Sequence, residues 1–230
     1  MTANERHQSR IDAVTRPGAG DALLLRTQSL ALARADALII ENLDLELRRG
    51  EALHVRGPNG TGKSTLLQAL AGLLTPAAGS VERRTEEPSG FLCHQNGLLP
   101  DLSAGENLRL YAGCGLPADT STLERFDVHA FIDKPVRTLS EGQARRVALA
   151  LACRPDQALW LLDEPTVGLD STGQHALETA IADHRGDGGI VVLASHVPVA
   201  LGGSESELNL ARYGATRADI PEDIWAEAEA

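Results

Sequence analysis

The feature that most constrains the fold of this chain is a glycine-rich loop that ends in a lysine and a serine. It fits the pattern G-x-x-x-x-G-K-[ST], which forms a phosphate-binding loop between a strand and a helix. Apolar residues before it (Ala52, Leu53 and Val55) predict a buried strand, and apolar residues at helical spacing after it predict a helix. The loop comprises Gly57, Pro58, Asn59, Gly60, Thr61, Gly62, Lys63, Ser64 and Thr65.

The chemistry of such a loop follows from its geometry. Glycines let the backbone turn tightly, so that its N–H groups point at phosphate oxygens, and the helix that follows adds its positive dipole end. The Lys63 ammonium reaches the β- and γ-phosphates, and the Ser64 hydroxyl is placed to ligate Mg²⁺. The alternative is a chance glycine-rich turn, which the flanking strand and helix disfavour.

Length, hydrophobic fraction, net charge and cysteine content limit the classes of protein to which this chain can belong. The 230 residues suit one domain, or one domain with an inserted subdomain, and 43% hydrophobic residues suffice for a full core. The net charge of -11 argues against a nucleic-acid partner. Three cysteines without a C-x-x-C pair indicate reduced thiols rather than disulfides or a zinc site. No apolar run approaches the length of a membrane span, so a role at a membrane would need another chain.

The order of patterns predicts an α/β protein in three parts. Residues 1–20 are polar and predict a disordered leader, residues 21–212 form the folded domain, and residues 213–230 form an acidic tail. Apolar segments between residues 21 and 55 predict an antiparallel β region. Residues 98–152 read as mostly helical, with a break at 116–117 and a short helix at 126–131, and a further break at 75–80 precedes them. Beyond these, apolar runs alternate with helical patterns, which predicts a parallel sheet with crossover helices.

A pair of carboxylates supplies the second half of a site. Asp163 and Glu164 directly follow the apolar run 159–162, at the end of a predicted buried strand. Ligands bind at these strand ends in open α/β sheets. Asp163 is therefore expected to hold Mg²⁺ through water, and Glu164 to polarise the water that attacks the γ-phosphate. The alternative, an acidic pair that caps the next helix, is disfavoured by the phosphate loop upstream.

Several further motifs make the chain resemble the ATP-binding cassette (ABC) proteins. The run Leu139-Ser140-Glu141-Gly142-Gln143 resembles the L-S-G-G-Q signature of that family and lies at a fitting distance before Asp163. Gln95 resembles the Q-loop glutamine, Asp170 in Val167-Gly168-Leu169-Asp170 resembles the D-loop aspartate, and His196 resembles the switch histidine. The motifs occur in the family's order and cover about residues 22–210.

The resemblance implies a fold and a mechanism. The fold is a P-loop NTPase core of the ABC ATPase type, with a RecA-like parallel sheet, an antiparallel β region and a helical subdomain inserted at about residues 96–152. Two copies form a head-to-tail homodimer that closes over two ATP molecules. The implied roles are catalysis by Glu164, His196 and Gln95, Mg²⁺ binding by Ser64, Gln95 and Asp163, and contact with the other copy's ATP by Ser140, Gly142, Gln143 and Asp170.

Two departures from the family pattern carry consequences. Glu141 replaces a glycine of the signature, and although a carboxylate suits the first turn of a helix, it repels a nearby γ-phosphate. Glu141 is therefore expected to point away or to weaken closure. No aromatic residue precedes Phe91 to stack on adenine, so Arg34 is the hypothesised substitute. A second signature-like run, residues 102–106, is interpreted as a capping box, and residues 140–143 form another capping box that opens a helix.

Two longer runs, residues 91–112 and 188–198, resemble the haem-exporter ATPases of cytochrome c biogenesis. The features with most weight are His94 directly before Gln95, and Pro198 shortly after His196. That resemblance implies a peripheral position on the cytoplasmic face of the bacterial inner membrane, beneath integral membrane partners. It also implies that hydrolysis drives release of a haem-loaded chaperone.

Four alternatives remain open from the sequence. They are an ATPase of another ABC exporter (for a drug, lipid or peptide), a soluble ABC-type regulator, a phosphate-loop kinase, and a non-hydrolysing ATP-gated scaffold. The single acidic cassette disfavours the regulator, the signature and His196 disfavour the kinase, and the intact catalytic residues disfavour the scaffold.

Overall fold

The computed structural model describes residues 22–34, 37–111, 121–203 and 205–214. The predicted leader and all but the first two residues of the predicted tail lie outside these ranges. Within them the chain forms eight strands in two sheets. The α-helices of the same ranges are α1 (Lys63–Ala71), α2 (Ala104–Tyr111), α3 (Ser121–Arg125), α4 (Glu141–Ala152) and α5 (Ser171–Gly186).

The smaller sheet is the predicted antiparallel region. It has the order β2-β1-β4, with β1 at Leu23–Arg34, β2 at Ala37–Arg48 and β4 at Ala78–Arg83. The apolar segments of the sequence merge into two long strands because irregularities such as Ser29, with φ 44°, absorb shifts in register. The break predicted at 75–80 is partly wrong, since β4 starts within it. Gly79 permits this, because a Cβ there would lie 2.3 Å from the carbonyl oxygen of Gln28.

The larger sheet is parallel throughout, in the order β5-β6-β7-β3-β8. Its strands are β3 (Ala52–Arg56), β5 (Ser89–Leu92), β6 (Leu159–Asp163), β7 (Ile190–Ala194) and β8 (Ser206–Asn209). The order is not that of the chain, because helices cross over between strands. The carboxyl ends of β3, β6 and β7 therefore meet at one edge of the sheet.

Two hydrophobic cores lie on opposite faces of this parallel sheet. Side chains alternate along a strand, so Leu159 and Leu161 of β6 pack into the core that contains the antiparallel sheet and α1. Trp160 and Leu162 point the other way, into the core that contains α2, α4 and α5. Both faces of β6 are thus buried, which explains its uninterrupted apolar sequence.

The region between residues 98 and 152 is less helical than predicted. Both predicted capping boxes are present, at the starts of α2 and α4, where Ser103 and Ser140 exchange hydrogen bonds with Glu106 and Gln143. The helix predicted at 126–131 is wrong, because Asp127 has φ 53° and leaves only a 3₁₀ turn at His129–Phe131. The predicted break at 116–117 lies outside the described residues.

The imidazole of His184 on α5 stacks on the indole of Trp160 on β6. The His184 and Trp160 rings lie 3.8 Å apart with an interplanar angle of 5°. His184 is buried, and its Nε2 has no hydrogen-bond partner among the described residues. Burial lowers the pKa of His184 from 6.5 to about 4. The folded protein therefore holds this imidazole neutral at a pH where the unfolded chain has already taken up a proton.

This difference predicts a loss of stability in mild acid. As the pH falls from 6.5 towards 4, the unfolded state binds a proton that the folded state does not, so the free energy of unfolding falls by roughly 3 kcal/mol. The measurement is urea unfolding of wild type and His184→Gln across this range. Other titrating groups are common to both proteins, so the wild type should lose more stability than the variant. If the free energy of unfolding fell equally with pH in the two proteins, the assignment of this loss to His184 would be wrong.

Candidate nucleotide site

The phosphate loop connects β3 to α1 at the carboxyl edge of the parallel sheet. Gly62 precedes the helix in a left-handed conformation, with φ 94°, and a Cβ there would lie 3.1 Å from Ile39 Cδ1. Glycine is therefore required by both backbone angle and space. Since Gly62 provides no side-chain cap, the first-turn N–H groups of α1 are available to an external anion.

Lys63 folds back over the loop. Its ammonium donates to the carbonyl oxygens of Gly57 at 2.8 Å and Pro58 at 3.1 Å, and lies 3.5 Å from His196 Nε2. The side chain is buried by the loop it contacts. The Lys63 ammonium is thus held above the loop, next to the His196 imidazole.

The carboxylates lie at the end of β6. Asp163 is its last residue and is buried, and Glu164 follows with φ 48° and donates its backbone N–H to Ala194. Glu164 Oε2 accepts from the backbone N–H of His196 at 3.2 Å, while His196 Nε2 lies 3.4 Å from Oε1 and 2.8 Å from Asn59 Oδ1. Oε1 is buried without a hydrogen-bond partner in the described part of the chain, which leaves it able to accept from a water.

These groups share one cavity of about 610 Å³, a size typical of ligand sites. Its wall brings together the predicted Lys63, Ser64, Asp163, Glu164 and His196. The remaining lining residues are Arg34, Ile39, Asn59, Gly60, Gly62, Thr65, His94, Val167 and Val197. Arg34, the hypothesised partner of the base, also lies on this wall.

The donor set of the cavity fits Mg²⁺. The Ser64 hydroxyl and the Asp163 carboxylate both face it, and Mg²⁺ prefers a few such oxygen ligands together with phosphate oxygens and waters. The unpartnered Oε1 of Glu164 is a further oxygen that a metal-bound or free water can satisfy. The residues present therefore suit a Mg²⁺–nucleotide complex.

For Gln95 the resemblance implies a place at the Mg²⁺ site. The lining of the cavity contains His94 and not Gln95. The thiol of Cys93 donates to the backbone oxygen of Gln95, which tightens the turn after β5. Of this adjacent pair, the histidine rather than the glutamine therefore lies on the wall that the predicted catalytic residues share.

Arg145, a residue of α4 that the sequence analysis missed, connects this turn to the carboxylates. Its Nη1 donates to the carbonyl oxygens of Cys93 at 3.1 Å and His94 at 3.4 Å, and its Nη2 to those of Asp163 at 2.8 Å and Glu164. Burial lowers the pKa of Arg145 from its ordinary value, and the nearby Asp163 and Glu164 charges oppose that change. Its only sequence signal was a position two residues past the signature.

The signature residues lie in a different cleft, of about 550 Å³. Its lining includes the predicted Ser140, Gly142, Gln143 and Asp170, together with Glu141, Arg146 and Gly168. A Cβ on Gly142 would lie 2.5 Å from the carbonyl oxygen of Gly168, so glycine is needed for this close packing. The structure therefore does not bring the signature to the phosphate loop of the same chain.

Asp170 is held at the start of α5. Its carboxylate accepts from the Gly173 N–H and from Arg146, both at 2.8 Å. These two donors, the backbone N–H first, hold the pKa of Asp170 below its usual range. The D-loop carboxylate is thus charged and rigid, and it is exposed on the same surface as the signature.

A smaller cavity of about 140 Å³ lies beside Trp160 and His184, near residues that precede β6 and β7. It contains none of the predicted site residues. Cys153 lines it, but burial raises the pKa of this thiol well above its usual range, which keeps it protonated and unreactive. The predicted site residues therefore lie at the opposite edge of the sheet.

None of the helices within the described ranges has the length and apolar character that a membrane crossing requires.

Comparison with known proteins gives one consistent result. Residues 40–167 match the family described as ABC transporter. The chain is 39% identical over 183 residues to the cytochrome c biogenesis ATP-binding export protein CcmA of Gluconobacter oxydans, covering 80% of this chain and 86% of that protein. It is 36% identical over 198 residues to the CcmA protein of Cereibacter sphaeroides, covering 86% and 92%.

Solved structures agree on the fold. An ABC transporter ATP-binding protein from Pyrococcus furiosus superposes with a TM-score of 0.69 at 23% identity, covering 83% of this chain and all but 1% of that one. The extent and identity of the matches to the cytochrome c biogenesis proteins go beyond likeness of fold. The chain therefore belongs to the ABC transporter ATP-binding family, and within it to the cytochrome c biogenesis ATP-binding export proteins.

Proposed function

We propose that this chain is the ATP-hydrolysing subunit of a transporter complex that powers haem export, or release of a haem-loaded chaperone, in cytochrome c biogenesis. The observation that carries the ATPase part is the single cavity shared by Lys63, Ser64, Asp163, Glu164 and His196. The part concerning cytochrome c biogenesis is supported by relatives whose names describe them as export proteins of that process.

Binding begins at the phosphate loop. The β- and γ-phosphates take the place of the Gly57 and Pro58 carbonyl oxygens at the Lys63 ammonium, and the first-turn N–H groups of α1 hold further phosphate oxygens. Ser64 and Asp163 hold Mg²⁺, which when bound offsets the charge that develops on the phosphates. Arg34 packs beside the base at the outer wall of the cavity.

Hydrolysis is carried by Glu164 and His196. Glu164 Oε1 accepts a hydrogen bond from a water and takes its proton as the water oxygen attacks the γ-phosphorus. The bond from the γ-phosphorus to the bridging oxygen breaks, and ADP leaves. His196, whose backbone N–H holds Glu164, donates from its ring to the γ-phosphate and stabilises the charge there.

The complete site requires a second copy of the chain. Ser140, Gly142, Gln143 and Asp170 occupy a cleft separate from the phosphate loop, so in one chain they cannot reach its nucleotide. In a head-to-tail homodimer the start of α4 in one copy faces the γ-phosphate in the other. Glu141 sits at this surface with its side chain packed on Gly168, and its charge opposes closure.

The membrane part of the transporter comes from other chains. We place this subunit on the cytoplasmic face of the bacterial inner membrane, in contact with integral membrane subunits. Support comes from the exposed apolar side chains of Leu99, Leu110 and Tyr111, which lie around α2. Apolar side chains exposed together around one helix favour contact with a partner. The negative net charge gives no support for a nucleic-acid partner.

Lys63→Ala is expected to abolish steady ATP hydrolysis, with a loss on the order of a hundredfold or more, because no other cation of the loop replaces the ammonium. The measurement is phosphate release from the purified protein at saturating ATP. Lys134→Ala removes an exposed lysine that does not line the cavity and is the matched control. Equal rates for Lys63→Ala and wild type would mean that hydrolysis occurs elsewhere.

Glu164→Gln is expected to bind ATP but to hydrolyse it slowly, since the amide fits the same space and cannot take a proton. Purified from native membranes with ATP, this variant should carry integral membrane subunits that handle haem, identified by mass spectrometry. Lys63→Ala prepared in the same way should recover less of them. A different permease would overturn the haem assignment and leave the ATPase, while soluble partners alone would contradict the transporter role.

A further inference from the structure

The turn after β5 presents one side chain to the nucleotide cavity. His94 is exposed and lines the cavity, whereas the adjacent Gln95 does not. The imidazole of His94 has no hydrogen-bond partner in the part of the chain that the structure describes, so both its nitrogens are available to a ligand. This differs from His196, whose ring already contacts Asn59 and Glu164.

Arg145 holds the backbone of His94 in place. The same contacts of Arg145 set the position of His94 along the cavity. One guanidinium, that of Arg145, donates to the carbonyl oxygens of both His94 and Glu164. Nη1 of Arg145 also bonds Asn96 Oδ1 at 2.8 Å, so the turn is held on both sides of His94. Because Glu164 is the residue proposed to act at the γ-phosphate, this shared contact ties the His94 backbone to that part of the cavity.

The chemistry of an imidazole points to phosphate rather than to metal at this position. Mg²⁺ prefers oxygen ligands, which Ser64 and Asp163 already supply, and imidazole suits other metals better. An imidazole N–H is a good donor to a phosphate oxygen, and a hydrogen bond to a charged acceptor is among the stronger ones. The γ-phosphate is the group of the nucleotide that lies nearest to Glu164.

We propose that His94 is a specificity-determining residue that donates a hydrogen bond from its imidazole to the γ-phosphate of a bound nucleoside triphosphate. This proposal rests on the proposed function, because it concerns the same nucleotide site. It gives the turn after β5 a direct part in distinguishing ATP from ADP, which lacks the acceptor. Gln95 has no such contact, and its side chain lies outside the cavity.

The test is equilibrium binding of two probes in the presence of Mg²⁺, the β,γ-imido analogue of ATP and ADP. His94→Ala should weaken binding of the triphosphate analogue by about tenfold or more, the size expected for one hydrogen bond to a charged group. Its affinity for ADP should change by less than about twofold. His94→Gln keeps a donor at this position and should recover much of the lost affinity.

Two further variants sharpen the comparison. Gln95→Ala separates the two neighbours, and His175→Ala removes an exposed histidine on α5 that lies outside the cavity. The proposal is overturned if Gln95→Ala loses affinity for the triphosphate analogue while His94→Ala does not. It is also overturned if His94→Ala loses affinity for ADP and the analogue equally.

A spectroscopic readout tests the contact itself. In protein labelled with ¹⁵N-histidine, the ring resonance that is missing from His94→Gln should shift with the triphosphate analogue and not with ADP. An unmoved resonance contradicts the proposal.

Failure of this proposal can be told apart from failure of the proposed function. If wild type binds the analogue, Lys63→Ala does not, and His94→Ala resembles wild type, only the role of His94 falls. If wild type binds neither nucleotide, both proposals fall.

Discussion

The buried guanidinium of Arg145 is the interaction on which the arrangement of the site depends. A buried charge is costly unless it is hydrogen-bonded, and both terminal nitrogens of Arg145 donate to backbone oxygens from two loops, while its Nε has no partner among the described residues. Both loops lie at the carboxyl edge of the parallel sheet, after β5 and after β6. Removing the guanidinium would leave these carbonyl oxygens unsatisfied and the two loops unconnected.

This contact explains how the strained Glu164, the proposed catalytic base, is kept in place. Glu164 has φ 48°, a backbone conformation that residues other than glycine rarely adopt. Such residues persist where surrounding contacts hold them in place. Its N–H bonds Ala194, its carbonyl oxygen bonds Arg145, and one carboxylate oxygen bonds the His196 N–H. Three different elements therefore determine where the remaining carboxylate oxygen points. The same helix that carries Arg145 begins at Ser140, so the signature surface and the carboxylate are joined by one rigid element.

The sequence predicted the parts of the site that depend on local patterns. The phosphate loop, the carboxylates after β6 and the capping box at Ser140 each follow from neighbouring residues, and all are present. The place of His94 did not follow, because adjacent side chains of a turn are distinguished only by tertiary contacts, here those of Arg145 with the turn. The 3₁₀ turn after Asp127 and the early start of β4 depend on single backbone angles and close approaches, which periodicity does not reveal.

The head-to-tail dimer that we propose holds each ATP between the phosphate loop of one copy and the signature surface of another. The most direct measurement is the mass of purified Glu164→Gln in solution by light scattering, with and without ATP and Mg²⁺. We expect a monomer without nucleotide, a dimer with ATP, and a return to monomer when Lys63→Ala is added to the same chain. A monomer at saturating ATP, with binding demonstrated in the same sample, would contradict it.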